Sequence, residues 1–342
     1  MSDQLTVRPF DGETREWDLL VEGNPAATFC QLAGWRDVMT GVLGHECRYV
    51  VAVDENGGWH GVLPLVRVRG LLGHYLLSMP FLNAGGPVGS AVAAQALAHH
   101  AVSEARTLGV DLLELRTPQP AAWAWRTSRR KITVRLPLPA TAEALWDTFP
   151  PKLRSQIRRP LRDGLRAQFG PDQRDAFYEV FTRNMKDLGT PVLPRQFFER
   201  IARVFGSLVS FGVVYHGDEP VAGGCGFLWR HEFELTWASS LRQHSRLAPN
   251  MLLYWSLLTH VLGRGARVFD FGRCTPDSGS HRFKQQWGGE DAPLAWSQWA
   301  PANVTATPSP ERPVFRLASA VWRRLPLALT NSLGPVLARQ LP

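Results

Sequence analysis

Two cations and one carboxylate lie close together between residues 265 and 290 of this 342-residue chain. Asp270 comes at the end of an apolar run, Arg273 follows it by three residues, and Lys284 follows by a further eleven. Lys and Arg side chains bind phosphate and carboxylate oxygens, whereas a carboxylate can orient an amine or accept its proton. The stretch therefore predicts a site for an anionic ligand, although Asp270 equally fits a structural anchor.

A buried strand, a loop and a short helix are predicted to position these groups. Aromatic and β-branched residues alternate over Arg267–Phe271, which indicates the strand. Pro276 to Gly279 favour turns and leave backbone amides available to a ligand, and His281–Trp287 is the helical run. The alternative is an ordinary surface loop and helix whose cations are only solvated.

Composition favours an anionic partner without choosing one. The net charge of +8 suits RNA, nucleotide phosphates or acidic lipids. The chain is 44% hydrophobic and long enough for two domains. Its four scattered cysteines contain no C-x-x-C pair, which fits a reducing cytoplasm, and its acidic N-terminus does not read as a secretory signal.

The two halves of the chain repeat one order of elements: a hairpin, a further strand, a helix that ends at glycine, and a strand that ends at Thr-Pro. Lining up Gly109–Glu114 with Gly265–Asp270 gives a constant offset of 156 and matches Glu114 with Asp270. This agreement predicts an internal duplication of a whole domain.

Two elements of the first half are predicted as continuous. Apolar spacing predicts one helix from Ala26 to Leu43, and a turn at residues 54–58 predicts a returning strand from Trp59 to Val68. In the second half, Gly223–Gly226 lies inside a predicted strand and indicates close packing.

A basic segment, Pro151–Arg166, lies between the halves and carries six cations and one acid. Leucine or isoleucine at 153, 157, 161 and 165 predicts one packed helical face, with Pro160 expected to kink or end the helix. The exposed arginines either bind phosphates or are simply solvated.

The C-terminal region is predicted to be a linker to Pro313 followed by an amphipathic tail with arginines and no acids. This tail either packs on its own protein or contacts an anionic membrane surface.

Several chemistries lack their usual motifs. The chain has no G-x-x-x-x-G-K-[S/T], no H-E-x-x-H, no strand-linked G-x-G-x-x-G and no G-x-S-x-G. Histidines 99, 100 and 231 have no third ligand at zinc spacing, so no metal site is predicted.

Five stretches carry a family resemblance: Ala27–Phe29 with Gly34–Trp35, Gly61–Val66, Leu188–Val192, Phe269–Arg273 and Phe283–Gly288. In this order they resemble the FemAB-like proteins of the tandem N-acetyltransferase (GNAT) superfamily, and especially those associated with exosortase, PEP-CTERM and exopolysaccharide gene clusters. The resemblance implies an α/β (mixed α+β) fold of two tandem GNAT-like domains, each a mixed splayed sheet flanked by helices. We place them at 1–140 and at 141–300, which begins with the basic helical segment, followed by the linker and tail at 301–342.

The implied activity is transfer of an acyl or aminoacyl group to an amine without a covalent intermediate. No cofactor is expected to stay bound, and the donor cosubstrate is acyl-CoA or aminoacyl-tRNA. The loop 242–250 lacks the glycine that acyl-CoA enzymes place before a helix, and Arg246 stands where related sequences tend to have glycine. FemAB-like relatives use aminoacyl-tRNA, and their phosphate-binding lysine resembles Lys284 in the pair Phe283-Lys284.

The candidate site residues fall into two groups. Catalytic roles are predicted for Asp270, Tyr254 and Trp237, whose backbone amide lies on the splayed strand and is suited to an oxyanion. Binding of substrate or phosphate is predicted for Lys284, Arg273, Arg246, Asn250, Phe283, Trp287, Thr190 and Asn83.

The resemblance also implies partners. The acceptor is expected to be an amine on a cell-envelope precursor of exopolysaccharide or peptidoglycan, with a lipid-linked carrier and tRNA as candidate partners. The expected location is the cytoplasm, with peripheral contact at the inner membrane as an option. A non-catalytic GNAT-like scaffold for envelope assembly is the main alternative, and a general RNA binder is a third.

Overall fold

The computed structural model describes residues 5–70, 73–119, 123–302 and 313–341. The α-helices are α1 Thr14–Gly23, α2 Trp35–Leu43, α3 Ala91–Leu108, α4 Ala142–Thr148, α5 Pro151–Arg162, α6 Arg174–Leu188, α7 Arg195–Phe205, α8 Pro249–Gly263, α9 Gly279–Gln285, α10 Pro313–Arg324 and α11 Leu327–Ala338. The strands are β1 Thr6–Pro9, β2 Glu46–Cys47, β3 Val50–Val53, β4 Trp59–Leu63, β5 Val66–Gly70, β6 Gly73–Leu77, β7 Val88–Gly89, β8 Leu112–Thr117, β9 Arg126–Ser128, β10 Ile132–Pro137, β11 Leu165–Phe169, β12 Val209–His216, β13 Glu219–Trp229, β14 Glu232–Ser240, β15 Val268–Asp270, β16 Glu290–Pro293 and β17 Ala295–Trp299.

The chain divides into two compact units. Unit 1 consists of Met1–Arg130, Pro293–Pro310 and Val336–Pro342, and unit 2 consists of Lys131–Ala292 and Glu311–Pro335. The domain boundaries near 140 and 300 stay a prediction about how the sequence is organised.

Unit 1 contains a four-stranded sheet, β1-β3-β4-β7, and a six-stranded sheet, β2-β5-β6-β8-β17-β9. In the larger sheet β6 and β8 are parallel, while the other pairs are antiparallel. The alanine-rich helix α3 buries Ala93, Leu97 and Ala101 in the core of this unit. Small side chains on this face let the helix lie close to the strands.

Unit 2 contains a seven-stranded sheet in the order β11-β12-β13-β14-β15-β10-β16. Only β14 and β15 are parallel among its described strand pairs. A Cβ built on Gly223 would meet Phe177 of α6, whereas one on the next residue, Gly224, would meet Leu257 of α8. Because successive strand residues point to opposite faces, α6 and α8 cover opposite faces of this sheet.

The glycine run of β13 makes close packing possible, as predicted. A Cβ on Gly226 would come within 2.4 Å of both the backbone oxygen of Glu234 and the ring of Phe233. Only glycine therefore allows β14 to approach β13 at this point.

Two predicted continuous elements of the first half are wrong. The segment Ala26–Leu43 contains a 3₁₀ turn at Phe29–Gln31, and α2 begins only at Trp35. Thr28 caps that turn by accepting a hydrogen bond from the amide of Cys30 at 3.2 Å, so local side-chain bonding interrupts the helix.

The predicted returning strand Trp59–Val68 is instead two strands, β4 and β5, which lie in different sheets. Pro64 lies between them and has no N–H to continue a ladder. The turn before β4 is confirmed, since the amide of Asp54 donates to the oxygen of Gly58 at 3.0 Å.

The basic segment forms helix α5, which ends at Arg162, and Leu165 already belongs to β11. Pro160 lies inside the last turn and is buried, whereas Leu161 is 51% exposed. The prediction that Leu161 packs is therefore wrong, because the proline ring occupies the inward position of that turn. The cations Lys152, Arg158, Arg159 and Arg162 are exposed, as predicted.

The tail forms α10 and α11, while most of the predicted linker lies outside the described residues. Its packing on the protein is seen at the end of α6, where a Cβ on Gly189 would meet the backbone oxygen of Ser319 at 2.6 Å. Within the described ranges, no helix combines the length and apolar character needed to cross a membrane.

Candidate active site

The parallel strands of unit 2 separate to form an open wedge. They pair only at Glu232 with Val268, Phe233 with Phe269, and Glu234 with Asp270. Strand β14 then continues along β13 to Ser240, whereas the chain after β15 follows β10, with the Phe271 amide donating to Val134 at 2.9 Å. Beyond Glu234, β15 therefore offers no backbone partner to β14.

A β-bulge lies at the apex of this wedge. Cys225 pairs with Trp237 and Phe227 with Glu234, so Leu235 and Thr236 lie opposite the single residue Gly226. An extra residue of this kind leaves the ladder locally and redirects backbone amides.

Trp237 follows the bulge, as its predicted oxyanion role requires. Its ring packs edge-on against Phe197 and Phe198, with centroids 5.7 and 5.3 Å away. The ring is therefore held by α7, and the backbone of Trp237 is the part available on the strand.

Glu234 and Asp270 are in-register neighbours where the strands part. Phe233 and Phe269, which precede them, belong to the core beneath α8. Because strand side chains alternate, the two carboxylates lie together on the other face of the sheet. Sequence reasoning missed Glu234, because its importance depends on a strand pairing with a residue 36 positions away.

The two carboxyl groups raise each other's proton affinity. Burial raises the pKa of Asp270, an effect partly opposed by hydrogen bonds from the Gly272 amide, at 2.7 Å, and the Thr133 side chain. Burial also raises the pKa of Glu234, and the charge of Asp270 raises it further, while the Arg273 guanidinium lowers it. This pair can therefore hold a proton at pH values where ordinary carboxyl groups have lost theirs.

Lys284 holds the loop that follows β15. Its side chain is buried, and its Nζ donates to the carbonyl oxygens of Gly272 at 2.6 Å and Arg273 at 3.1 Å. Burial lowers the pKa of this ammonium group, with the charges of Asp270 and Glu234 opposing the change. Phosphate binding by Lys284 stays a prediction, and the contacts observed here position the backbone of Arg273, whose own side chain is exposed.

Helix α9 fixes the same loop through a histidine that the sequence analysis did not single out. The Nδ1 atom of His281 accepts from the Asp277 amide at 3.0 Å, so its Nε2 carries the proton and donates to Asp291 at 2.8 Å. Arg282 donates to the oxygen of Asp277 at 2.7 Å. The loop is therefore held at both ends by one short helix.

Tyr254, Phe283 and Trp287 form an aromatic cluster with Phe271. The ring of Tyr254 stacks on Phe271 with centroids 5.7 Å apart and meets Phe283 edge-on at 4.9 Å. Tyr254 and Trp287 are 6% and 1% exposed, and burial raises the pKa of the Tyr254 phenol. These three predicted site residues thus support the wedge from the core, and their direct roles stay predictions.

Arg246 and Asn250 lie where the chain leaves β14 and enters α8. Arg246 is exposed on a 3₁₀ turn, and Asn250 is half-buried in the first turn of α8. Ala248 between them has a φ of 51°, which turns the chain sharply into the helix. Both carboxyl ends of β14 and β15 open to the same edge of the sheet, since the strands are parallel.

The remaining two predicted residues lie elsewhere. Thr190 closes the end of α6, where its amide donates to Met185 at 3.0 Å, and the nearby Asn184 donates to Ser239 of β14 at 3.0 Å. Asn83 is buried in a loop of unit 1, where its backbone oxygen accepts from Trp296 at 3.1 Å.

Comparison with known families matches residues 151–285 to the model described as "Acetyltransferase (GNAT) domain". The whole chain is similar to three solved structures of low identity. They are "Crystal structure of FemX" (14% identity, TM-score 0.63, covering 91% of this chain and 100% of that one), "The structure of L-PGS from Bacillus licheniformis" (12%, 0.58, 92% and 98%) and "Tandem GNAT protein from the clavulanic acid biosynthesis pathway (without AcCoA)" (16%, 0.53, 88% and 100%).

This chain has a tandem GNAT-like fold. The predicted fold class and the predicted acyltransferase domain are thereby confirmed. Comparison with curated proteins gives no match. The narrower likeness to exosortase-associated proteins stays a prediction.

The GNAT-like unit 1 has no counterpart of the carboxylate pair. Its parallel strands pair Leu77 with Glu114, so a leucine stands where unit 2 has Glu234. Arg116 bonds Glu114 at 2.9 Å, and Gln298 donates to the other carboxylate oxygen at 2.7 Å. With the offset of 156, Arg116 corresponds to Gly272. The carboxylate of unit 1 is therefore neutralised, which places the candidate chemistry in unit 2.

No cluster of three or more His, Cys, Asp or Glu side chains within the described ranges could hold a metal ion. The wedge is thus furnished with carboxylates, cations and backbone amides.

Proposed function

We propose that this protein is an N-acyl or aminoacyl transferase that moves its group from an activated donor to an amine on a cell-envelope precursor. The observation that carries the proposal is the pairing of Glu234 with Asp270 at the point where β14 and β15 separate. A proton acceptor beside a bulged, unpaired strand edge provides what direct acyl transfer needs.

In this mechanism, Glu234 is the general base. The acceptor amine attacks the donor carbonyl carbon, a new carbon–nitrogen bond forms, and the nitrogen loses its proton to Glu234. The bond to the thiol or tRNA hydroxyl then breaks, and that leaving group takes a proton. The raised pKa of Glu234 brings it nearer to that of an amine, which makes the proton transfer easier.

Asp270 tunes this base, and the backbone near Trp237 stabilises the oxyanion. An amide at the bulge would donate to the developing negative charge on the carbonyl oxygen. Asp270 keeps a hydrogen bond to Gly272, which aligns its carboxylate beside Glu234.

The donor remains acyl-CoA or aminoacyl-tRNA within this proposal. The match to an acetyltransferase (GNAT) domain favours acyl-CoA. The exposed Arg246 near the first turn of α8 and the basic face of α5 suit the phosphates of either donor. Aminoacyl-tRNA is supported by the FemAB-like motifs of the sequence.

The acceptor is proposed from the sequence resemblance. FemAB-like proteins act on precursors of the cell envelope, and the exosortase-associated type points to an amino sugar of an exopolysaccharide. A lipid-linked carrier and a cytoplasmic site of action follow from the same resemblance.

The test is turnover by the purified full-length chain with labelled acyl-CoA and labelled aminoacyl-tRNA, each offered with amino sugars and amino acids. Glu234→Gln is the test variant, and Glu290→Gln, an exposed glutamate of the same unit, is its control. We expect the first variant to lose turnover while binding donor, and the second to behave as wild type.

Two results contradict the proposal. Saturable binding of an envelope precursor without turnover of either donor would favour the scaffold. Binding of RNA regardless of its aminoacyl group, with steep salt dependence, would favour a general RNA binder.

A further inference from the structure

The two tail helices expose apolar side chains at helical spacing. On α10, Leu317 and Val321 are 68% and 51% exposed, and on α11, Leu329 and Leu333 are each 48% exposed. Each pair is four residues apart, so its members lie on one face of their helix. We refer to these four residues as the tail stripe.

The opposite faces of these helices are anchored to unit 2. Trp322 is 9% exposed and Thr330 is 2% exposed. Arg323 donates to the oxygen of Leu188 at 3.4 Å, and Ser319 lies against Gly189. The stripe is therefore held outward by packing of the reverse side, and its exposure is a property of the folded unit.

The charges around the tail stripe have one sign. Residues 313–341 contain four arginines and no aspartate, glutamate or lysine. Arg316 and Arg324 are exposed and lie one residue before Leu317 and three residues after Val321. An anionic bilayer satisfies both features at once, because its acyl chains accept leucine side chains and its headgroup phosphates bind arginine.

We propose that the tail stripe is a docking surface for the headgroup region of an anionic phospholipid membrane. The helices would lie in the plane of the interface, with the stripe toward the acyl chains and Arg316 and Arg324 at phosphate level. This inference goes beyond acyl transfer, since a soluble donor and amine meet at the wedge without it.

The test is sedimentation of the full-length protein with phosphatidylcholine vesicles that contain either no phosphatidylglycerol or about 30% of it. Three double variants are compared: L317Q/V321Q, L329Q/L333Q and R316Q/R324Q. The matched control is L19Q/V92Q, which removes two apolar side chains that are each 58% exposed outside the tail. Circular dichroism and light scattering report fold and oligomeric state for every variant.

We expect the wild-type protein to bind the anionic vesicles and the control to bind equally. Each stripe variant should bind at least about tenfold more weakly, since two partly exposed apolar side chains no longer enter the bilayer. The arginine variant should lose the preference for phosphatidylglycerol.

Three outcomes overturn the proposal. These are a wild-type protein that stays in the supernatant with anionic vesicles, folded stripe variants that bind like wild type, and a wild-type dimer that the stripe variants convert to monomer. The last result would assign the stripe to a second copy of the chain. Acyl transfer to a soluble amine is measured in parallel, so that a failure of membrane binding is distinguished from a failure of catalysis.

Discussion

Replacing Asp270 with asparagine should move the acidic limb of the pH–rate profile to lower pH. Asparagine keeps an oxygen that can accept the bond from the Gly272 amide, so the change removes charge with little change of shape. The raised pKa of Glu234 rests on burial and then on the charge of Asp270. Without that charge, Glu234 loses its proton more readily.

The expected size follows from the geometry of the strands. In-register residues on neighbouring strands lie about 4.8 Å apart, which at an effective dielectric constant of about 20 corresponds to roughly 3 kcal/mol between two full charges. This energy equals about two pH units, and partial protonation of Asp270 reduces it to about one. Asp270→Asn should therefore shift the limb by about one to two pH units.

The same variant changes how stability depends on pH. A carboxyl group whose folded pKa is raised stabilises the fold below its unfolded pKa, near about 4, and loses that contribution as pH rises through the folded value. The wild-type melting temperature should therefore fall more steeply above pH about 4 than that of Asp270→Asn.

The assay is kcat/KM against pH for wild type, Asp270→Asn and the control Glu290→Gln, with melting curves at each pH. The reasoning is refuted if the acidic limb of Asp270→Asn coincides with that of wild type, or if Glu234→Gln retains full turnover. A shift of the same size in Glu290→Gln would show that the effect is a general change of surface charge.

Three further predictions concern the surroundings of the wedge. Lys284→Met should lower the free energy of unfolding in urea by about 2–3 kcal/mol, because it removes a buried donor to two carbonyl oxygens; an unchanged midpoint would contradict its positioning role. Gly272→Ala should destabilise by at least about 2 kcal/mol, since φ is 74° and a Cβ would lie 2.2 Å from a backbone oxygen, whereas Gly279→Ala, which meets nothing within 4 Å, should melt like wild type. Arg246→Ala should weaken donor binding by about fivefold to tenfold with reduced salt dependence in calorimetric titrations, and equal weakening in the exposed Arg126→Ala would remove the assignment.

Local sequence patterns were sufficient for most of the strands and helices around the site. Apolar periodicity and terminal glycines predicted α3 as 92–108, against an observed Ala91–Leu108, and α8 as 249–262, against Pro249–Gly263. These signals act within one element, so one sequence contains them. Prediction failed where a side chain closed a turn locally, as Thr28 does, or where Pro64 divided a strand.

Residues of the candidate site were harder to predict, because their roles depend on partners far along the chain. Glu234 has no local motif, and it becomes prominent only through its register with Asp270. His281 is similar, since its bond to Asp291 requires α9 to pack beside β16. Tyr254 was predicted as catalytic by type and position, and packing placed it among aromatic rings.

The sequence by itself determined the repeated order of elements, the offset of 156 that matches Glu114 with Asp270, and the cations beside the second repeat. Only the tertiary structure decided which acid is available for chemistry. Arg116 neutralises Glu114 in one unit, whereas Gly272 stands at that position in the other and leaves Asp270 beside Glu234. The physical reason is that a carboxyl group's proton affinity depends on the charges and burial that folding brings to it, and these come from residues distant in sequence.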